Sequence, residues 1–142
     1  MLRFQLVTLE GTKLDEEVYE VRLPTPDGEI GVFTNHAPLV SVASTGVITV
    51  KRGQNDPEAK WEYYATNGGV IEIVEGIVRV LVDEADREDE INEHEAQKAF
   101  DKAKSMQADA KDQVSLEQAR ELIDRQAVRL KVADLRRRRR GR

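Results

Sequence analysis

A chain of 142 residues, 39 % hydrophobic and only 5 % aromatic, can bury a real but modest core. It has no Cys, which excludes a disulfide framework and a thiolate metal site, and its two His residues, His36 and His94, are too far apart to form a local metal pair. The net charge of −5 conceals an asymmetry: six of the last seven residues, Arg136 to Arg140 and Arg142, are positive, which leaves −11 on residues 1–135.

Phe4–Leu9 alternates loosely up to Glu10-Gly11 and reads as a strand followed by a turn. Val18–Leu23 alternates more cleanly and stops at Pro24-Thr25-Pro26-Asp27-Gly28, a turn with two prolines and a closing glycine. From Gly28 to Val40 two short apolar runs flank Thr34-Asn35-His36-Ala37-Pro38. Pro38 keeps Ala37 out of the helical region, so this is a strand–loop–strand unit. Gly28 and Gly31 allow positive φ or close approach there. Further strands are expected at Val47–Lys51, Trp61–Thr66, Val70–Val74 and Ile77–Val82, separated by a polar Gly53–Glu58 turn, Asn67-Gly68-Gly69 and Glu75-Gly76. An Asn-Gly pair between apolar runs is a strong hairpin signal, so Trp61–Thr66 and Val70–Val74 are expected to pair. Short strands with turn signals at this spacing predict an antiparallel β-sandwich, each strand facing a core on one side.

Composition changes at Asp83. Eight of the thirteen residues from Asp83 to Glu95 are acidic, and β-branched runs give way to Ala, Glu, Lys and Gln, which places a boundary between residues 1–84 and 85–142. Ala96, Ala99, Phe100, Ala103, Met106 and Ala110 recur at helical spacing behind an Asn92/Glu95 capping pair. Leu116, Ala119, Ile123, Ala127, Leu130 and Ala133 do the same behind Ser115 and Gln118. The short polar connection makes the two helices antiparallel, and their Ala-rich seam buries little area per turn. The fold class is therefore α+β in two parts, a sandwich followed by a helical hairpin able to detach.

No set of residues for catalysis can be assembled: there is no Gly-x-Ser-x-Gly elbow, no His pair at helical spacing and no phosphate-binding Gly-rich loop before Lys-Ser/Thr. His36, beside Pro38, is expected to lock its loop by bonding backbone groups. The Asp83–Glu95 run reads as a solvated linker with favourable charge at a helix N-terminus. The Arg tail has two readings, a solvated end or an electrostatic docking element. Nucleic acid would be the partner in a rival reading, a free-standing binding module, but the tail carries no interleaved aromatics and the body is acidic. No apolar run approaches the roughly 18 residues of a membrane span, and no long apolar stretch follows Met1-Leu2-Arg3-Phe4, so a soluble chain without signal peptide is expected.

Three blocks carry a close resemblance to the epsilon subunit of F-type ATP synthases: Gly28-Glu29-Ile30-Gly31, Asn35-His36-Ala37-Pro38-Leu39 and Gly46-Val47-Ile48-Thr49-Val50. Asn67-Gly68-Gly69-Val70-Ile71-Glu72-Ile73 and Val78–Ala85 extend it in order over nearly the whole chain. The resemblance implies a non-catalytic rotor subunit whose sandwich joins the gamma subunit and the c-subunit ring at the cytoplasmic face of the membrane. That role would couple proton flow to ATP synthesis on other chains, with membrane association only through the complex. It implies that Asp27, Glu29, Thr34, Asn35 and His36 meet the c ring, at one end of the sandwich. It also implies a hairpin that brakes ATP hydrolysis when extended, with Arg125, Arg129, Lys131, Arg136, Arg137, Arg138, Arg139 and Arg140 facing the catalytic beta subunits. Some family members bind ATP at an Ile/Leu-Asp-x-x-Arg-Ala motif. Here the segment is Ile91-Asn92-Glu93-His94-Glu95-Ala96, so only Arg125 and Arg129 of the phosphate-facing set remain, and no cofactor is expected.

Overall fold

The computed structural model describes residues 1–140, without the side chain of Arg140; Gly141 and Arg142 lie outside the described residues. Ten strands precede two helices among these residues: β1 Leu2–Thr8, β2 Gly11–Val18, β3 Glu20–Thr25, β4 Gly28–Val32, β5 Leu39–Ala43, β6 Gly46–Lys51, β7 Glu62–Thr66, β8 Gly69–Val74, β9 Ile77–Val82, β10 Ala85–Arg87, then α1 Glu93–Asp109 and α2 Gln113–Arg140. One sheet runs β2-β1-β9-β8-β5 and the other β10-β7-β6-β3-β4. The inner faces enclose Phe4, Leu6, Leu23, Ile48, Tyr64, Ile71, Ile73 and Val80, all nearly inaccessible to water. The expected sandwich and hairpin are both present. Pairing is antiparallel except between β1 and β9, which run parallel.

Three local expectations change. Val18–Leu23 is not one strand: Val18 ends β2 and the next strand starts at Glu20, in the other sheet. β2 itself goes unseen in the sequence because only Leu14 and Val18 of its eight residues are buried, and a register shift at Leu6/Val7 breaks the alternation of its partner β1. Asn67-Gly68 is not a hairpin turn, since β7 and β8 lie in different sheets. It is the corner where the chain crosses over. Asn67 Oδ1 accepts the Glu84 backbone N–H at 3.2 Å, its carbonyl accepts the Thr45 hydroxyl at 3.1 Å, and Gly68 takes φ +103°. The hairpin with two left-handed central residues is β8–β9, turned by Glu75 (φ 49°) and Gly76 (φ 80°).

Asn92 caps α1, its side-chain oxygen accepting the Glu95 N–H at 3.1 Å, as its spacing predicts. The second helix starts earlier than predicted, because Asp112 and not Ser115 supplies the cap: Asp112 Oδ1 accepts the Ser115 N–H at 2.7 Å. Ala119 is buried in the hairpin, whereas Ala127, predicted for the seam, is exposed. The helix has turned a different stripe inward there. Val128, Val132, Ala133 and Leu135 pack on Val47, Trp61, Tyr63 and Ala65, so α2 lies on the outer face of β6 and β7. The hairpin is in its packed arrangement.

Candidate functional site

Successive residues of an extended segment point to opposite faces. In β10 this sends Ala85 into the core, where it is 2 % exposed, and turns Asp86 towards α2, with Glu84 and Glu88 flanking the strand on the same side. Along α2, Arg125 and Arg129 stand one helical turn apart, and Arg136 and Arg139 follow two to three turns on. The two rows meet. Arg125 donates from Nε and Nη2 to the two carboxylate oxygens of Glu84 at 2.7 and 2.5 Å. Arg129 Nη1 donates to Asp86 Oδ2 at 2.5 Å. Arg136 donates to the Glu88 carbonyl at 3.3 Å, and Arg139 bridges the Glu88 carboxylate and the Trp61 carbonyl.

Depth increases along this row. The Glu84 and Asp86 side chains keep 28 % and 24 % exposure, while Glu88 and Arg139 keep 10 % and 17 %. Burial pushes the Asp86 carboxyl above its ordinary pKa, and the Arg129 guanidinium beside it pulls it back only in part. The contact is therefore close in geometry but modest in net attraction, because desolvation opposes it. Glu88 Oε2 is buried with no hydrogen-bond partner, so the innermost acid is half satisfied.

The other basic residues predicted for this surface are placed differently. Arg137 pairs with Glu93 and, at 3.1 Å, with Asp134; Arg138 pairs with Asp134 at 3.1 Å. Lys131 is exposed, and the Arg140 side chain lies outside the described residues.

The residues predicted to meet the c ring line β4, an edge strand. Asp27 and Glu29 sit at its hairpin end and Thr34, Asn35 and His36 beyond its other end, so they form a rim along one edge and not a single tip. Gly28 takes φ +119° in the turn; at Gly31 a Cβ would come within 3.3 Å of Glu20 Oε2. Asn35 is left-handed, with φ 67°. His36 Nδ1 lies 2.6 Å from the Ala37 carbonyl oxygen, so the tautomer with hydrogen on Nδ1 donates to it and holds the loop, as expected.

A cavity of about 610 Å³ opens between the sandwich corner and the hairpin, lined by Thr45, Asn67, Asp83, Met106, Glu121, Asp124 and Arg125 among others. Three carboxylates face one guanidinium that Glu84 already holds. That balance repels phosphate. Asn92 is engaged as a helix cap and Glu95 is exposed. Among the described residues no group of three His, Asp or Glu is placed to hold a metal ion, and no helix is long and apolar enough to cross a membrane.

One surface was not anticipated. The outer face of the first sheet exposes Val40, Val42, Val70, Val74, Ile77 and Leu81, with Val42, Val70 and Leu81 as cross-strand neighbours. A polar row, Glu72, Arg79 and Gln5, crosses it. The sequence did carry a signal: Ile77–Val82 is apolar at every position but Arg79, a pattern for a strand covered on both faces.

Residues 1–88 match the family model described as "ATP synthase, Delta/Epsilon chain, beta-sandwich domain". Over 139 residues, 97 % of this chain and 98 % of the relative, it is 36 % identical to the ATP synthase epsilon chain of Herpetosiphon aurantiacus. Over 134 residues, 93 % and 96 % respectively, it is 34 % identical to that of Nostoc punctiforme. In fold it resembles a chain of the Euglena gracilis mitochondrial ATP synthase OSCP/F1/c-ring structure, with TM-score 0.78 and 23 % identity over 92 % of this chain and 79 % of the other. A weaker likeness, TM-score 0.51 and 12 % identity over 62 % and 67 %, is to a chain of the central stalk and c ring of the Tetrahymena thermophila enzyme. With its first 88 residues matched by the family model and more than a third of its residues identical to those of relatives along nearly their whole length, the chain belongs to the epsilon-chain family of ATP synthases.

Proposed function

We propose that this epsilon chain is a non-catalytic rotor subunit of the central stalk, which couples proton flow to ATP synthesis at sites on other chains and brakes ATP hydrolysis when its hairpin extends. The observation that carries the reading is the pairing of α2's basic row with the chain's own acids, a charged contact that can be exchanged for another acidic surface. Packed, the hairpin permits turnover. Extended, it presents Arg125, Arg129, Lys131 and Arg136 to Arg140 to the beta subunits, a two-state element biased by whichever contacts are stronger. The β4 rim, Asp27, Glu29, Thr34, Asn35 and His36, meets the c ring. The apolar outer face of the first sheet docks on gamma, since a patch of this kind on a soluble surface marks a partner site. The chain then sits peripherally at the cytoplasmic face of the membrane, held there by its partners. A free-standing nucleic-acid module fits less well, because Arg136, Arg137 and Arg139 are engaged by the chain's own oxygens.

The test is copurification. Val42→Glu with Val70→Glu places two charges on exposed strand positions and leaves the core untouched. The variant is expected to fold with unchanged circular dichroism and to lose gamma from the purified complex. Undiminished recovery of gamma would place its docking surface elsewhere.

ATP is expected to bind weakly or not at all, given the acidic cavity and the prior engagement of Arg125 and Arg129. Saturation in a calorimetric titration at low micromolar ATP would refute this.

A further inference from the structure

We propose that Glu84, Asp86 and Glu88 form an internal competitor for the basic face of α2, an acidic ladder whose occupation sets how much of the helix is free to engage another acidic partner. The inference rests on the braking role proposed above and names what holds that brake off.

The geometry is that of a matched pair. Alternate residues of an extended segment recur about every 6.6–6.8 Å, and helical residues four apart recur every 6 Å. Glu84 and Asp86 therefore align with Arg125 and Arg129, and long guanidinium stems take up the small mismatch. Strand and helix run the same way, so Glu88 meets Arg136 and Arg139 at the far end. A surface able to displace the ladder must offer the same thing: carboxylates about one helical turn apart on one face.

The ladder is also built to yield. Asp86 opposes its own burial and Glu88 Oε2 has no partner, so both acids regain hydration when α2 departs. The apolar contact beside it is small, being Val128, Val132, Ala133 and Leu135 on Val47, Trp61, Tyr63 and Ala65. Neither half holds α2 strongly alone, which places the two states within reach of a competing surface.

The absence of Cys permits a direct test on the isolated full chain. Spin labels at Lys60→Cys and Ala127→Cys, both exposed positions, report the separation of sandwich and helix. Unsubstituted at the ladder, the chain is expected to give a short, narrow distance distribution that broadens as salt rises. Glu84→Gln with Asp86→Asn and Glu88→Gln should raise the detached population at least about tenfold at low salt. A control losing the same charge elsewhere, Glu10→Gln with Glu17→Gln and Glu75→Gln, should leave it unchanged. Glu84→Arg combined with Arg125→Glu should restore the short distance lost in Glu84→Arg alone. An unchanged distribution in the triple variant, or a loss equal to the control's, would overturn the competitor. The assembled enzyme separates this from the braking role: ATP hydrolysis should fall in the ladder variant. If the helix detaches and hydrolysis does not fall, the ladder stands and the brake does not.

Discussion

Gly69→Ala is expected to destabilise the sandwich by at least about 3 kcal/mol, a large part of the roughly 5–15 kcal/mol available to a domain. A Cβ on Gly69 would lie 2.0 Å from the Leu81 carbonyl oxygen and 2.9 Å from the Val82 Cα. Both are backbone atoms of the paired strand β9, so no side-chain rotation relieves the overlap. Relief requires β8 and β9 to part where Ile71, Ile73, Val78 and Val80 fill the core. The residue before it offers no slack, because Gly68 is already at φ +103° with the Ala43 carbonyl 2.9 Å from where its own Cβ would be. Thermal unfolding by circular dichroism should show a loss of at least about 6 °C. Gly76→Ala is the control: its surroundings are open and it carries only the strain of φ +80°, worth about 1–2 kcal/mol. Equal melting points for the two variants would mean that the corner adapts.

That corner also shows where sequence reading succeeds and stops. Asn67-Gly68-Gly69 was visible as a turn because its residues favour positive φ, but turn chemistry reports only that the chain bends. Whether the next strand pairs with the last or crosses to the other sheet depends on bonds such as Asn67 Oδ1 to the Glu84 N–H, made with a residue 17 positions away. β2 was hidden for a different reason. Its Asp15 and Glu16 are answered by Arg3 and Arg52, and its Lys13 by Glu90, through ion pairs, and only Leu14 and Val18 signal burial. Where one face is apolar and the other polar, as over Val21-Arg22-Leu23 of β3, the alternation was legible.

The candidate site divides along the same line. The Arg tail could be singled out from charge, Arg125 and Arg129 only through the family resemblance, and the acidic run from Asp83 to Glu95 could be seen as well. That the two answer each other could not, since the pairs are 41 to 51 residues apart and depend on which face of α2 turns inward. The exposure of Ala127 shows how that choice was missed: a period drawn through Ile123, Ala127 and Leu130 leaves Ala127 facing solvent, while the sandwich selects Val128, Val132 and Leu135. Read from composition, the acidic run is a linker. Read with β10 in place, three of its residues form an edge strand facing a helix.

The largest functional effect is expected from removing the hairpin, and where the cut falls decides the outcome. A chain ending at Glu88 keeps every strand and the whole inner core. Its newly bared surface is the small patch of Val47, Trp61, Tyr63 and Ala65, and Glu88 becomes hydrated once Arg139 is gone. It should therefore unfold in one cooperative transition and still join gamma. A chain ending at Glu84 loses β10, with its pairing to Thr66, Ala65 and Tyr64 and the buried Ala85, and leaves the edge of β7 open. It should be less stable than the longer fragment by about 2–4 kcal/mol and more prone to associate through that edge. In the assembled enzyme the 1–88 chain should raise ATP hydrolysis several-fold at unchanged subunit composition, because the packed and extended states are both abolished and only the extended one inhibits. Hydrolysis equal to that of the full-length complex would remove the brake from the hairpin. Loss of gamma from the 1–88 complex would instead show that α1 or α2 belongs to the docking surface, contrary to the assignment of that role to the outer face of the first sheet.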